Sequence, residues 1–183
     1  NEIVFYKRFS SEIMKKSEFI WEAPDGTKLL ASHLGKMLRY NFFLHFTIPV
    51  ILGGDAMGLD WKVGFTDGTK LIHFVDKAFY SHYATELETD IRIRKENIYK
   101  AVKGVLDDVS DSVAKSVFMA FDGIDFTSPV KEIPAALKEA NEIMGDEVEL
   151  IHSNPIEYFK ELREDIDINS LITYKGEMRF GPV

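Results

Sequence analysis

The stretch SVFMAFDGIDFTSPVKEIP, residues 116–134, decides how the rest of the chain is interpreted. Its apolar first half ends in two acids, Asp122 and Asp125, and predicts a buried strand over 116–121. In parallel α/β sheets, ligands bind beyond the carboxyl ends of the strands. Asp125 is therefore the leading candidate for a catalytic carboxylate. The alternative is that Asp122 or Asp125 only caps the following turn through a side-chain oxygen.

The composition of the chain indicates which classes of protein it can belong to. The chain has 183 residues, 45% of them hydrophobic, which suits one domain with a core of its own. With 22 basic and 30 acidic residues the net charge is −8, so the chain would repel nucleic acid and anionic lipid surfaces. It has no cysteine, which fits a reducing compartment, and no apolar run approaches the roughly 18 residues of a membrane span. We expect a cytoplasmic protein that binds neither nucleic acid nor membranes.

Helix and strand signals alternate along the second half of the chain. The predicted order is helix 94–113, strand 116–121, helix 131–144, strand 147–152 and helix 155–165. Such alternation is typical of a parallel sheet with right-handed crossovers. We therefore predict an α/β fold with a parallel sheet.

The first half of the chain is predicted to contribute mostly strands. These are predicted at 1–6, 18–23 and 27–34, with 47–52 and 172–183 as further strand candidates and a helix at 69–87. Pro24-Asp25-Gly26 suits a tight turn and predicts that the strands on either side of it pair. Since no repeat or linker interrupts the chain, residues 1–183 are predicted to form a single α/β domain.

The residues alone do not define a complete catalytic site. A retaining glycosidase needs two carboxylates about 5 Å apart, one as nucleophile and one as acid and then base, and the sequence supplies carboxylates without pairing them. None of the five histidines has the His-x-Asp spacing that favours zinc. The Gly-x-Ser-x-Gly element of many serine hydrolases is also missing. No metal ligand is therefore assigned within the chain.

Five short segments are informative through their order. They are FIWEAPDGTKLLA at 19–31, MLRYNF at 37–42, DGIDFTSPVKEIPAAL at 122–137, NPIEYFKEL at 154–162 and YKGEMRFG at 174–181. In this order they resemble glycoside hydrolase family 38, the retaining α-mannosidases. The resemblance implies a seven-stranded β/α barrel-like domain of the glycoside hydrolase/deacetylase type. This chain would be its second half, and thus a fragment of a larger catalytic domain.

The resemblance assigns roles to three residues. Asp125 matches the family's catalytic acid/base, and Tyr40 and Asn41 match an aromatic and polar pair that contacts the sugar. Two positions depart from the family pattern: Asn41 stands where better-known members have Asp, and Thr127 where many have Arg. The resemblance therefore assigns no charged neighbour to the acid at these two positions.

The resemblance also implies a function. It predicts part of an α-mannosidase that hydrolyses terminal α-mannosides of mannose-containing oligosaccharides. The nucleophile and the ligands of the enzyme's zinc ion are expected before Asn1 and after Val183, so the chain alone is expected to be inactive. Missing domains would also supply any contacts for a homo-oligomer. The alternative is a non-catalytic carbohydrate-binding or assembly module.

Overall fold

The computed structural model describes five stretches of the chain: residues 2–5, 15–33, 41–52, 91–123 and 129–176. The chain divides into two compact units. The first combines Asn1–Asn41, Asp107–Phe121 and Ser153–Val183, and the second combines Phe42–Leu106 and Asp122–His152. The helix predicted at 69–87 lies outside the described residues. That residues 1–183 form a single domain within a larger catalytic domain stays a prediction.

Helices form where the 3.6-residue periodicity predicts them. They are α1 (Lys95–Asp108), α2 (Ile133–Met144) and α3 (Pro155–Asp165), and they confirm the helices predicted at 94–113, 131–144 and 155–165. In α2 the buried residues Ala136, Ala140 and Met144 recur every fourth position, which places them on one side of the helix. None of the helices in the described stretches is long and apolar enough to span a membrane. The cytoplasmic location stays a prediction.

The first unit is built on a mixed four-stranded sheet. Its strands are β1 (Glu2–Phe5), β2 (Glu18–Glu22), β3 (Lys28–His33) and β4 (Thr173–Lys175), in the order β1-β3-β2-β4. The pairs β1–β3 and β2–β4 are parallel, whereas β2–β3 is antiparallel. All four strands confirm predicted strands, and the α/β class is confirmed.

The predicted pairing of β2 with β3 is confirmed, but because this pair is antiparallel the sheet is mixed rather than parallel throughout. A short connection through Pro24-Asp25-Gly26 joins β2 to β3, and Gly26 has a φ of +85°, which favours glycine. Parallel neighbours need a crossover of about a dozen residues or more, so a turn of this length can only return the chain antiparallel. The seven-stranded barrel-like arrangement stays a prediction.

Three predicted strands are not strands in the structure. Residues 47–52 belong to a π-helix, Phe43–Leu52, and residues 116–121 and 147–152 have no strand partner. In both of the last two segments, side chains take up main-chain groups that a sheet would otherwise pair. Asn141 of α2, for example, accepts from the N–H of Leu150 at 2.7 Å and donates to its carbonyl at 2.9 Å. A side-chain amide therefore replaces the neighbouring strand.

Both faces of the central hairpin carry core residues. Phe19 and Ala31 are fully buried on one face of the sheet. Leu30 precedes Ala31 and so points to the other face, where it packs with Phe159 and Leu162 of α3. The alternation of side chains along β3 thus fixes which face α3 covers.

The second unit combines the π-helix with α1 and α2. The carbonyls at the end of the π-helix are satisfied by residues of the α1 entry: Asn97 Nδ2 donates to Pro49 O at 2.8 Å, and Arg94 N–H donates to Val50 O at 2.8 Å. Gly104 of α1 admits His45 closely, because a Cβ at Gly104 would lie 3.0 Å from His45 Nδ1. A glycine within α1 therefore has a packing reason.

Candidate functional site

The structure describes one of the three predicted site residues. Tyr40 and Asp125 lie outside the described residues, so their positions stay predictions. Asn41 is buried, with 1% of its surface exposed, and its Oδ1 accepts a hydrogen bond from the N–H of Phe121 at 2.9 Å. This bond fixes the main chain immediately before Asp122. Asn41 thus holds the segment that leads into the DGIDF stretch.

Asp122 is the acid of the DGIDF stretch that the structure describes. The hydroxyl of Thr47 donates a short hydrogen bond to Asp122 Oδ1. Thr47 belongs to the π-helix and is fully buried, which gives its hydroxyl a fixed direction. π-Helical turns occur often at functional sites. The carboxyl group of Asp122 is therefore positioned by a rigid, buried donor.

The electrostatic setting of Asp122 favours its protonated form. The pKa of Asp122 is raised, chiefly because the surrounding protein displaces water from the carboxylate. Hydrogen bonds from Thr47 and from the N–H of Gly123, and the positive charge of His152, act in the opposite direction. Asp122 nevertheless keeps an exposed surface. A carboxyl group with a raised pKa that solvent can reach is suited to proton transfer.

The contacts of Asp122 bear on two hypotheses: that it only caps a turn, and that it belongs to a functional site. The bond from the N–H of Gly123 is local and agrees with an acid that caps its own turn. The bond from Thr47 joins residues 75 positions apart and is not needed for a turn. The turn reading therefore accounts for only part of the site.

Replacing Thr47 with Val tests whether the hydroxyl tunes Asp122. Thr47→Val removes the donor at nearly constant volume, so the ionised carboxylate loses a partner and the pKa of Asp122 should rise further. The measurement is an NMR titration of the Asp122 carboxyl carbon in both proteins. Thr173→Val, at an exposed position of β4, is the control and should leave the titration unchanged. A pKa of Asp122 that is the same or lower in Thr47→Val would contradict this role.

The described residues offer no metal centre. No group of three or more His, Cys, Asp or Glu side chains in the described stretches is arranged to hold an ion. Among the described residues, the imidazole whose charge acts on Asp122 is that of His152. In the part of the chain that the structure describes, the chemistry that this site offers is a carboxyl group with a raised pKa.

Sequence reasoning missed Thr47, His152 and a buried carboxyl group at Glu18. Thr47 and His152 are far from the DGIDF stretch in sequence, and no local pattern links them to it. The sequence did contain a signal for Glu18. This residue lies two positions before the inward-facing Ile20 in β2, and so on the same face of the strand. An acid at an inward position of a strand is unusual enough to mark a candidate.

The chain was also compared with known proteins. No protein-family model, no curated protein and no solved structure matches it. The functional assignment therefore depends on the residues and contacts of the chain.

Proposed function

We propose that the chain is part of a retaining α-mannosidase that hydrolyses terminal α-mannosides. The proposal rests on the five segments that resemble glycoside hydrolase family 38 in their order along the chain. The structural observation that supports its chemistry lies three residues before the proposed acid/base, Asp125. The carboxyl group of Asp122 there has a raised pKa, an exposed surface and a buried hydroxyl partner, Thr47. A raised carboxyl pKa is a feature of the general acids of glycosidases.

The proposed roles follow the order of the reaction. Asp125 protonates the glycosidic oxygen as the sugar leaves, and then accepts a proton from the water that attacks the glycosyl-enzyme. Asp122, three residues before Asp125, provides a second carboxyl group in the same stretch. Tyr40 contacts the sugar. Asn41 holds the acidic stretch through the N–H of Phe121, in addition to the sugar contact that the resemblance implies.

The remaining parts of the mechanism are assigned outside the chain. The proposal takes the nucleophile and the zinc ligands from residues before Asn1 and after Val183. Zinc does not fit the described side chains, which form no cluster of three ligands, and no step is assigned to it. The proposal includes the seven-stranded β/α barrel-like domain that the resemblance implies.

The proposal is tested by comparing the 183 residues with the parent polypeptide. The chain alone should not hydrolyse 4-nitrophenyl α-mannoside, because an acid/base without a nucleophile has no covalent route. The parent should hydrolyse it, release the α-anomer first, and lose activity with a chelator. Time-resolved NMR of the released sugar measures hydrolysis and identifies the first anomer. A colorimetric assay of 4-nitrophenol release measures the loss of activity with a chelator.

Two results would contradict the proposal. Metal-dependent turnover by the purified 183 residues would show that the nucleophile lies within them. A parent that binds methyl α-mannoside but does not turn over any α-mannoside would be a carbohydrate-binding module instead. Methyl α-glucoside, the C2 epimer of methyl α-mannoside, is the control ligand in the turnover and binding measurements.

A further inference from the structure

Glu18 is a buried carboxyl group whose known partners are all neutral. Only 2% of the residue is exposed. Oε2 accepts hydrogen bonds from the N–H of Val113 at 2.7 Å and from the hydroxyl of Ser112 at 2.9 Å, and Oε1 accepts from the hydroxyl of Tyr158 at 3.2 Å. Among the described residues, no cation pairs with Glu18. A buried carboxylate without a counter-charge is costly, so taking up a proton is the natural alternative.

Tyr158, the partner of Glu18 Oε1, can accept a hydrogen bond from a protonated Glu18. The hydroxyl of Tyr158 also lies 3.2 Å from Ser32 Oγ, and either group can be the donor. Ser32 is the cross-strand neighbour of Glu18 in the β2–β3 pair. Ser32, Tyr158 and Glu18 thus form a chain of three groups, and each of its two links can be made in either direction.

We propose that Ser32, Tyr158 and Glu18 form a reversible hydroxyl chain through which the folded protein takes up one proton without losing a hydrogen bond. With Glu18 ionised, Ser32 donates to Tyr158 and Tyr158 donates to Oε1. With Glu18 protonated, its new O–H donates to Tyr158, which then donates to Ser32. Oε2 remains an acceptor for Val113 and Ser112 in both states, since a carbonyl oxygen has two lone pairs.

A small cleft lies beside the hydroxyl chain. Glu18, Ser32 and Tyr158 line it together with Ser17 and His33. Its cavity volume is about 10 Å³, roughly the space of one water molecule and far below the roughly 300–1,000 Å³ of ligand pockets. The cleft therefore suits water and protons better than a sugar, which separates this site from the proposed α-mannosidase chemistry.

The charges around the chain favour proton uptake. Burial raises the pKa of Glu18, the three hydrogen bonds lower it, and the charge of Asp111 raises it. His33 faces the cleft, and Asp165 acts on Tyr158. Burial and the charge of Glu18 raise the pKa of Tyr158, so the phenol keeps its proton and the chain stays intact.

The sign of the pH dependence follows from this raised pKa. The folded state binds the Glu18 proton more tightly than the unfolded state does, so Glu18 stabilises the fold at low pH. That stability is fully present below the ordinary glutamate pKa and is lost as the pH rises through the higher pKa of the folded protein. Above that pH the contribution of Glu18 is constant.

Glu18→Gln tests the proposal in the full 183-residue chain, because glutamine is neutral at every pH. Urea unfolding is measured across the pH range for both proteins. The unfolding equilibrium constant of the wild type, divided by that of Glu18→Gln, should rise by about tenfold for each pH unit between the two pKa values. Glu161→Gln, which removes an exposed acid of α3, is the control for losing a carboxyl group at the surface. A ratio for Glu18→Gln that does not change with pH would overturn the proposal.

An NMR titration of the carboxyl carbons keeps the proposal testable if Glu18→Gln does not fold. In the wild type, Glu18 should titrate above the ordinary glutamate pKa, and a midpoint at or below that value would overturn proton uptake. Tyr158→Phe should move the Glu18 midpoint further up, because the hydroxyl binds a carboxylate more strongly than a neutral acid. Ser32→Ala should give a smaller shift in the same direction. A midpoint unaffected by Tyr158→Phe would overturn the hydroxyl chain.

Discussion

Asp125→Ala in the parent polypeptide is expected to slow the hydrolysis of α-mannosides with poor leaving groups by about 10²- to 10⁴-fold. Such substrates need a proton on the departing oxygen, whereas fluoride or activated aryl leaving groups depart with little help. The loss should therefore grow as the leaving group becomes more basic. Added azide should restore turnover of activated substrates, because a small anion can attack the glycosyl-enzyme without a general base. The measurement is a leaving-group series of kcat and kcat/KM.

Asp122→Ala is the matched control, since it removes the other carboxyl group of the same stretch. It should cause a smaller loss that does not depend strongly on the leaving group. A larger, leaving-group-dependent loss for Asp122→Ala would transfer the acid/base role to Asp122 and contradict the assignment of Asp125. If Asp125 only caps a turn, Asp125→Ala should slow all substrates alike. It should also lower the free energy of unfolding by about 0.5–2 kcal/mol.

Leu162→Ala is expected to lower the free energy of unfolding by about 2–5 kcal/mol, the range for large-to-small changes in a core. Leu162 is fully buried in α3 and packs with Leu30, Tyr158 and Phe159 in the first unit. Alanine would remove this contact with β3 and leave a cavity. Urea unfolding of the 183-residue chain measures the loss.

Ile156→Ala is the control, because Ile156 lies on the same helix with 79% of its surface exposed. It should change the free energy of unfolding by no more than about 0.5 kcal/mol, as exposed substitutions usually do. Equal losses for the two variants would mean that α3 is not held by its packing on the sheet, and would contradict the described core.

Local signals were enough for several elements. Asn154 accepts from the N–H groups of Ile156 and Glu157, and Pro155 opens the first turn, so the start of α3 is encoded in four consecutive residues. The β2–β3 hairpin is equally local, because Gly26 and its neighbours determine where the chain reverses. These features could be predicted since their donors and acceptors are close in sequence.

The segments that differ from prediction depend on distant partners. Residues 116–121 are as apolar as a strand, but the N–H of Ser116 bonds to Asp165 and that of Phe121 to Asn41. The predicted burial of this segment is also wrong, since Phe118 keeps 39% of its surface exposed. An apolar run favours burial but does not ensure it, and a strand also needs a neighbouring strand to pair with. Only the tertiary structure decides which acceptor an N–H group finds.

The same distinction applies to the sites. Sequence alone identified the acidic DGIDF stretch and, through its resemblance, the α-mannosidase hypothesis. It did not indicate that Thr47 would donate to Asp122, 75 residues away, or that Tyr158 would meet Glu18, 140 residues away. Residue types limit which chemistry is available to a chain. The pKa of a carboxyl group depends on burial and on its donors, and these are determined only when the fold brings remote segments together.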